Sequence, residues 1–198
     1  MAASDRTPSG RAGRLWLAHR VEVAERAADQ LERKIHILSA ELASQRAKAD
    51  DARQQWLTAT EHADRWAIRA ALVAGQQVLL DDAARPVGLN LTWVNTVGVR
   101  HPSSAHLSQP ARVDGIVGAA AIVAARAAFA TAVRVGVDLA IADATCRALD
   151  DARTQARRRA RLLRKRWLPL LQDRLRTLEL TLEQAEQEDH ARLRRAVT

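Results

Sequence analysis

The chain has 198 residues, a formal net charge of +8 and only 3% aromatic residues. So few aromatic side chains argue against a large globular core, and the low counts of 8 glycines and 5 prolines favour long helices. Cys146 is the only cysteine, which excludes an intramolecular disulfide and fits a reducing, cytoplasmic compartment. No stretch has the pattern of a signal peptide or a membrane span, so we expect any membrane association to be peripheral.

An apolar heptad pattern predicts a first long helix within residues 1–83. From Leu17 onward, positions that alternate by four and three residues are apolar, with the exception of Gln45. This spacing keeps one stripe of a helix against a partner helix in a left-handed supercoil. The largest residues predicted for this coiled-coil seam are Leu17, Val21, Leu31, Ile35, Leu38, Leu42, Trp56 and Trp66.

Residues 84–116 form a predicted central insert of short strands and loop, because prolines and glycines concentrate there. Leu89, Leu91 and Trp93 are separated by single polar residues, which is the period-two pattern of a strand. Val97–Arg100 is predicted as a second short strand.

A second heptad pattern predicts another long helix within residues 117–198. It runs from Ala121 to Leu149 and then changes to repeated four-residue steps, which are expected to unwind a coiled coil locally. Pro169 lies inside this helix and should kink it or remove one hydrogen bond. The predicted seam of the second half contains Leu163, Trp167, Leu171, Leu175, Leu178 and Leu182.

Two long helices on either side of a short insert predict an antiparallel pair. Folding the chain about residue 98 places Trp56 opposite Ala140–Ala144 and Trp66 opposite Ala130–Ala132. In each case a large side chain meets small ones, as interdigitated packing requires. The predicted fold is therefore all-α: a long antiparallel two-helix coiled coil, one domain, with a small β-hairpin-like insert.

No residue pattern for catalysis or cofactor binding is evident. The chain has no Gly-Lys-Ser/Thr phosphate loop, and no Cys or carboxylate cluster accompanies His101 and His106. We therefore predict no catalytic, cofactor-binding or metal-binding residues. The two histidines are interpreted as solvated loop residues, and Cys146 as a small buried hydrophobic residue on the seam.

The densest basic stretch lies at residues 157–166. A solvated helix face, an electrostatic contact with an acidic protein ring and a nucleic-acid interface are three interpretations of it. The third lacks an accompanying binding motif or an exposed aromatic platform. The candidate contact residues are Arg157, Arg158, Arg161 and Arg164.

Three stretches resemble the D subunit of V-type and archaeal A-type ATP synthases. Residues 14–42 are similar to the family's N-terminal helix, with Leu31, Lys34 and Leu38 on its "LL-x-K-R-x-x-L" segment. Residues 95–102, NTVGVRHP, are similar to its "N-x-x-G-V-x-x-P". Residues 157–195 resemble its C-terminal helix, including Pro169. Ile35 and Leu168 depart from the family's usual basic residue and isoleucine.

The resemblance implies a rotor axle without catalytic activity of its own. Its terminal helices would enter the ring of A and B subunits, and its middle would bind the small F subunit of the stalk and reach the rotor-cap C/d subunit on the membrane ring. Rotation would couple proton or sodium movement to ATP synthesis or hydrolysis. The alternatives are the stalk-like helical hairpin of a secretion-type ATPase and a basic nucleic-acid-binding coiled coil.

Overall fold

A computed structural model describes residues 8–75, 88–108 and 120–197. In chain order these residues form α1 (Gly10–Ala74), β1 (Gly88–Thr96), β2 (Val99–Ser108) and α2 (Ala120–Leu162), then a π-helical turn (Leu163–Trp167) and α3 (Leu168–Val197). The predicted fold class, all-α with a small two-stranded insert, is confirmed. The predicted segment boundaries near residues 84 and 116 lie outside the described residues.

The chain divides into two compact units. The first contains Met1–His36 and Arg153–Thr198, and the second contains Ile37–Ala152. Each unit pairs a part of α1 with a part of the C-terminal half of the chain, and the second unit also contains the β-hairpin.

The first unit is an antiparallel helix pair. Arg11 bonds Glu186 at 2.8 Å, while Arg164 bonds Asp29 at 2.8 Å, so α1 and the C-terminal helices run in opposite directions. One buried cluster of this unit contains Leu17, Ala24, Leu168 and Leu171, and Ala28, Ala156 and Ala160 are buried as well. Partly buried apolar residues of this unit include Trp16, Val21, Leu31, Ile35, Leu175, Leu178 and Leu182.

The π-helical turn shifts the buried face of the C-terminal helix. Pro169 has no amide hydrogen to donate to the preceding turn, and the Leu168 amide bonds the Leu163 carbonyl five residues back. This turn contains more residues than an α-helical turn, so it rotates the residues that follow it around the helix axis. As a result Leu168 is 7% exposed and Trp167 is 41% exposed. The prediction that Trp167 lies on the seam was therefore wrong.

The second unit also contains an antiparallel helix pair. Arg53 bonds Asp143 at 3.3 Å, and Arg46 lies 3.9 Å from Asp150. Small residues form its seam away from the hairpin, because alanines allow two helices to approach closely. Two buried clusters, both packed against Trp66, contain Ala63, Ala128, Ala132, Ala70, Ile122 and Ala125.

Trp56 packs over a glycine of α2. A methyl group added to Gly136 would lie 3.0 Å from Trp56 Nε1, so the absence of a side chain at this position admits the indole. The prediction placed Trp56 opposite Ala140–Ala144, about one helical turn away. The indole remains 37% exposed, because it lies along the edge of the helix pair.

A two-residue turn joins the two strands of the hairpin. Val97 and Gly98 have φ angles of 51° and 77°. Positive φ values at both central positions are typical of a type I′ turn, whose twist matches the right-handed twist of the two strands. A β-branched residue rarely adopts this conformation, so Val97 is strained. The predicted strand Val97–Arg100 was wrong at its start, because Val97 belongs to the turn and β2 begins at Val99.

Replacing Leu149 by alanine should lower the free energy of unfolding by about 2–5 kcal/mol, because its side chain is fully buried and its loss leaves a cavity. Leu162→Ala in the same helix is the matched control. Leu162 is 56% exposed, and the control should change the stability by no more than about 0.5 kcal/mol. Urea unfolding followed by circular dichroism measures both, and equal losses would contradict the assigned core.

Candidate functional site: surfaces for protein partners

The hairpin is anchored to the helices of the second unit at its turn end. Val99 is buried with Leu38, Leu42 and Leu149. The Thr145 hydroxyl of α2 donates a 2.7 Å hydrogen bond to the Pro102 carbonyl, and this contact is buried. Apolar burial and a satisfied backbone acceptor therefore hold β2 against α2.

His101 belongs to the same anchor. It is 4% exposed, so the prediction of a solvated loop histidine was wrong for this residue; His106 is exposed. His101 Nδ1 lies 3.1 Å from the Pro102 carbonyl oxygen and Nε2 lies 3.0 Å from the Thr96 hydroxyl. Because a carbonyl oxygen only accepts, Nδ1 donates there and Nε2 accepts from Thr96.

A cavity of about 450 Å³ lies between the hairpin and the helices of the second unit. Its walls combine polar and apolar residues, and the polar ones include Glu41, Lys48, His101, Asp138 and Thr145. Within the described ranges, no group of three or more His, Cys, Asp or Glu side chains is positioned to hold a metal ion. The arrangement orients the hairpin against the helices of the second unit.

Cys146 lies half-buried beside the anchor of the hairpin. Burial raises the pKa of its thiol, and the negative charge of nearby Asp143 raises it further. A raised pKa disfavours the thiolate, which is the reactive form of cysteine. The structure therefore gives Cys146 a packing role.

The basic stretch divides into two groups in the first unit. Arg164 donates 2.8 Å hydrogen bonds to both Asp29 and Glu32 of α1, and these contacts raise its pKa, the bond to Glu32 contributing most. Arg157, Arg158 and Arg161 are exposed. Arg164 thus joins the two helices, while the other three candidate contact residues present their charges to solvent.

An arginine lies close to two indole rings near the π-helical turn. The Arg20 guanidinium carbon is 4.7 Å from the Trp16 ring centre and 5.9 Å from that of Trp167. Both distances allow cation–π attraction. Trp167 thus lies near Arg20 and remains exposed beside the basic stretch.

The helix that begins at α2 contains an 18-residue window with a mean hydropathy of 1.6, of which 22% is buried. By length and composition it satisfies the criterion for a membrane span, so the expectation that no stretch does was wrong. Alanine-rich helices of soluble proteins satisfy the same criterion, and this window assigns no membrane crossing by itself. Exposed apolar side chains of α2 include Val123, Phe129 and Val133.

Comparison with protein families gives one match across nearly the whole chain. A family profile that describes the D subunit of ATP synthase matches residues 15–197. The match includes both helical halves and the hairpin. No curated protein matches the chain.

The Arg11–Glu186 pair offers a test of the helix pairing in the first unit. The hydrogen bond from Arg11 lowers the pKa of Glu186, and the charges of Arg11, His190 and Arg14 lower it further. A carboxyl group with a lowered folded-state pKa contributes stability above its unfolded pKa and loses it as the pH falls through the folded value.

Arg11→Gln should therefore raise the pKa of Glu186 toward its ordinary value, measured by NMR titration of the side-chain carboxyl carbon. Arg14→Gln is the control, and its effect should be smaller, because Arg14 acts only through its charge. Equal shifts in the two variants would show that the 2.8 Å contact does not form in solution.

Proposed function

Because the chain belongs to the family of ATP synthase D subunits, we propose that it is the central-stalk rotor subunit of a V/A-type rotary ATPase. Members of this family are stalk subunits of ATP synthase complexes, which makes this chain a peripheral part of a membrane-associated assembly. The finer proposal is that it transmits torque between the membrane ring and the catalytic ring of A and B subunits, which drives ATP synthesis or ATP-driven ion transport.

The pairing of helices in each unit supports torque transmission. A single helix twists easily, whereas two helices with a packed seam resist relative sliding because every buried side chain is held by its neighbours. Arg164 with Asp29 and Glu32, and Arg53 with Asp143, add contacts between helices outside the seam. The paired arrangement in each unit is the observation on which the proposal rests.

The proposed partners follow from the family and from the surfaces of the chain. The terminal helices of the first unit would lie inside the ring of A and B subunits. The second unit would bind the small F subunit of the stalk and reach the rotor cap on the membrane ring. Nucleotide chemistry would occur in the ring, since the sequence contains no phosphate loop.

The proposal is tested by adding the purified chain to an A–B ring together with the small F subunit. We expect a stable complex whose ATP hydrolysis drives rotation, and no ATP hydrolysis by the chain alone. Failure of the folded chain to enter the ring would contradict a stalk role. Intrinsic ATP hydrolysis that a single substitution abolishes would contradict a non-catalytic one.

Replacing Leu171, Leu175 and Leu178 with aspartate should prevent entry into the ring. Leu171 is 3% exposed, so its loss should cost about 2–5 kcal/mol; Leu175 and Leu178 are partly buried and should cost less each, and a buried charge adds to the loss. The control replaces three exposed leucines, namely Leu162, Leu180 and Leu193, with aspartate. Size-exclusion chromatography of the ring with each variant measures assembly. Normal assembly of the first variant would contradict a packed seam in the ring-bound state.

The exposed arginines are proposed to meet acidic residues of the ring. Changing Arg157, Arg158 and Arg161 to glutamine should weaken binding to the ring at low salt, and the difference should shrink as salt screens the charges. Arg164 is left unchanged because it holds Asp29 and Glu32 within the chain.

The matched control changes Lys48, Arg65 and Arg134 to glutamine, which removes the same charge from the second unit. Binding is measured by surface-immobilised ring titrations at two salt concentrations. Equal affinity of both variants and the unchanged chain at low salt would contradict the ring contact and support the interpretation of residues 157–166 as a solvated helix face.

A further inference from the structure

The π-helical turn Leu163–Trp167 has the spacing of a one-residue insertion in the seam of the first unit. Seam positions of a helix pair alternate by three and four residues. Leu163 is partly buried and Leu168 is buried, although these two residues are five apart. In an uninterrupted α-helix they would point in directions about 140° apart, so both would not face one seam. The turn therefore adds one residue and keeps the helix on its two sides in phase with the seam.

The insertion leaves one backbone acceptor without a helical donor. In an α-helix the Arg164 carbonyl would accept from the Leu168 amide, but that amide bonds the Leu163 carbonyl. In a π-helix the Arg164 carbonyl would accept from residue 169, which is a proline and has no amide hydrogen. The backbone of the turn is therefore held by fewer hydrogen bonds than the helix on either side.

Side-chain packing within the turn does not offset this loss. None of its five residues is buried, whereas Ala156 and Ala160 are buried before it, and Leu168 and Leu171 after it. Segments with few buried apolar contacts and exposed backbone hydrogen bonds have low free energies of local opening. The turn is therefore expected to open more readily than the flanking helix.

Contacts with α1 hold the turn at its two ends. Arg164 donates hydrogen bonds to Asp29 and Glu32. At the other end, the Arg20 guanidinium carbon lies 5.9 Å from the Trp167 ring centre. Arg20 and Asp29 are nine residues apart in α1, which places them about 180° apart around that helix. The turn is thus joined to α1 from both sides of the helix pair, and its backbone can open without separation of the two helices.

We propose that the π-helical turn Leu163–Trp167 is a joint built into the first unit, at which the helix backbone opens locally while the seam on both sides stays packed. The proposal concerns the folded chain alone and does not depend on the stalk function proposed above. In a stalk, this joint would be the place at which the C-terminal helix yields first to a twisting load.

Hydrogen exchange of the full chain, followed by NMR and corrected for intrinsic exchange rates, tests the joint directly. The Leu168 amide should exchange about tenfold faster than the Ala160 and Leu175 amides, as expected from the loss of one or two backbone hydrogen bonds. Equal protection of the three amides would overturn the proposal. This measurement uses the unchanged chain, so a folding defect in a variant does not affect it.

A deletion variant tests whether the extra residue creates the joint. Deletion of Arg166, combined with Pro169→Ala, places Leu168 four residues after Leu163, so that their bond becomes an α-helical one. The alanine amide then lies four residues after Arg164 and supplies its carbonyl with a donor. The Leu168 amide should become as protected as the flanking amides, and the Tm should not fall, because the seam residues keep their places.

The matched control deletes Asp173, an exposed residue beyond the joint, in the same Pro169→Ala background. This deletion turns Leu175 and Leu178 away from the seam by about 100° and should lower the Tm by about 5 °C or more. An equally large loss in the Arg166 deletion variant would show that the turn is no removable insertion and would overturn the proposal. Entry of the unchanged chain into the A–B ring is a separate measurement, so failure of the joint would leave the stalk function standing.

Discussion

Two helices that pack mainly against each other share a single seam, and this constraint determines most of the structure within each unit. A globular core surrounds a buried residue on all sides, whereas a helix pair can shelter only one stripe of each helix. The stripe must therefore be filled with small or apolar residues throughout. Leu17, Leu38, Leu42 and Leu149 are its largest fully buried side chains, and alanines occupy much of the remainder.

The seam also explains why the arginine-rich composition is compatible with folding. Charged residues occupy the wide solvent-facing sides of the helices, where their charges remain hydrated. Some of them join the helices outside the seam, as Arg164 does with Asp29 and Glu32. The others, including Arg157, Arg158 and Arg161, remain exposed on the surface, and we propose that they meet a partner.

The sequence was sufficient to predict the helices, their antiparallel pairing and the presence of the hairpin. Heptad spacing indicates paired helices, and a concentration of prolines and glycines indicates where the helices are interrupted. It failed where a position depends on a distant contact. His101 is buried at the anchor where Thr145, far along the chain, bonds the adjacent Pro102 carbonyl. Trp167 left the predicted seam because the π-helical turn before Pro169 changes the register, and no periodicity marks such a turn.

We propose that these features make a torque-bearing stalk, with paired helices that resist twist and exposed cations that face the ring. The central claim of this proposal is that the chain turns inside the A–B ring. In the direct measurement, the ring is fixed to glass and a bead is attached to the chain at Asp50→Cys, with Cys146→Ser preventing attachment elsewhere. Asp50 is exposed in the second unit. The account predicts unidirectional, ATP-driven rotation of the bead; a bead that stays still while the ring hydrolyses ATP and retains the chain would contradict it.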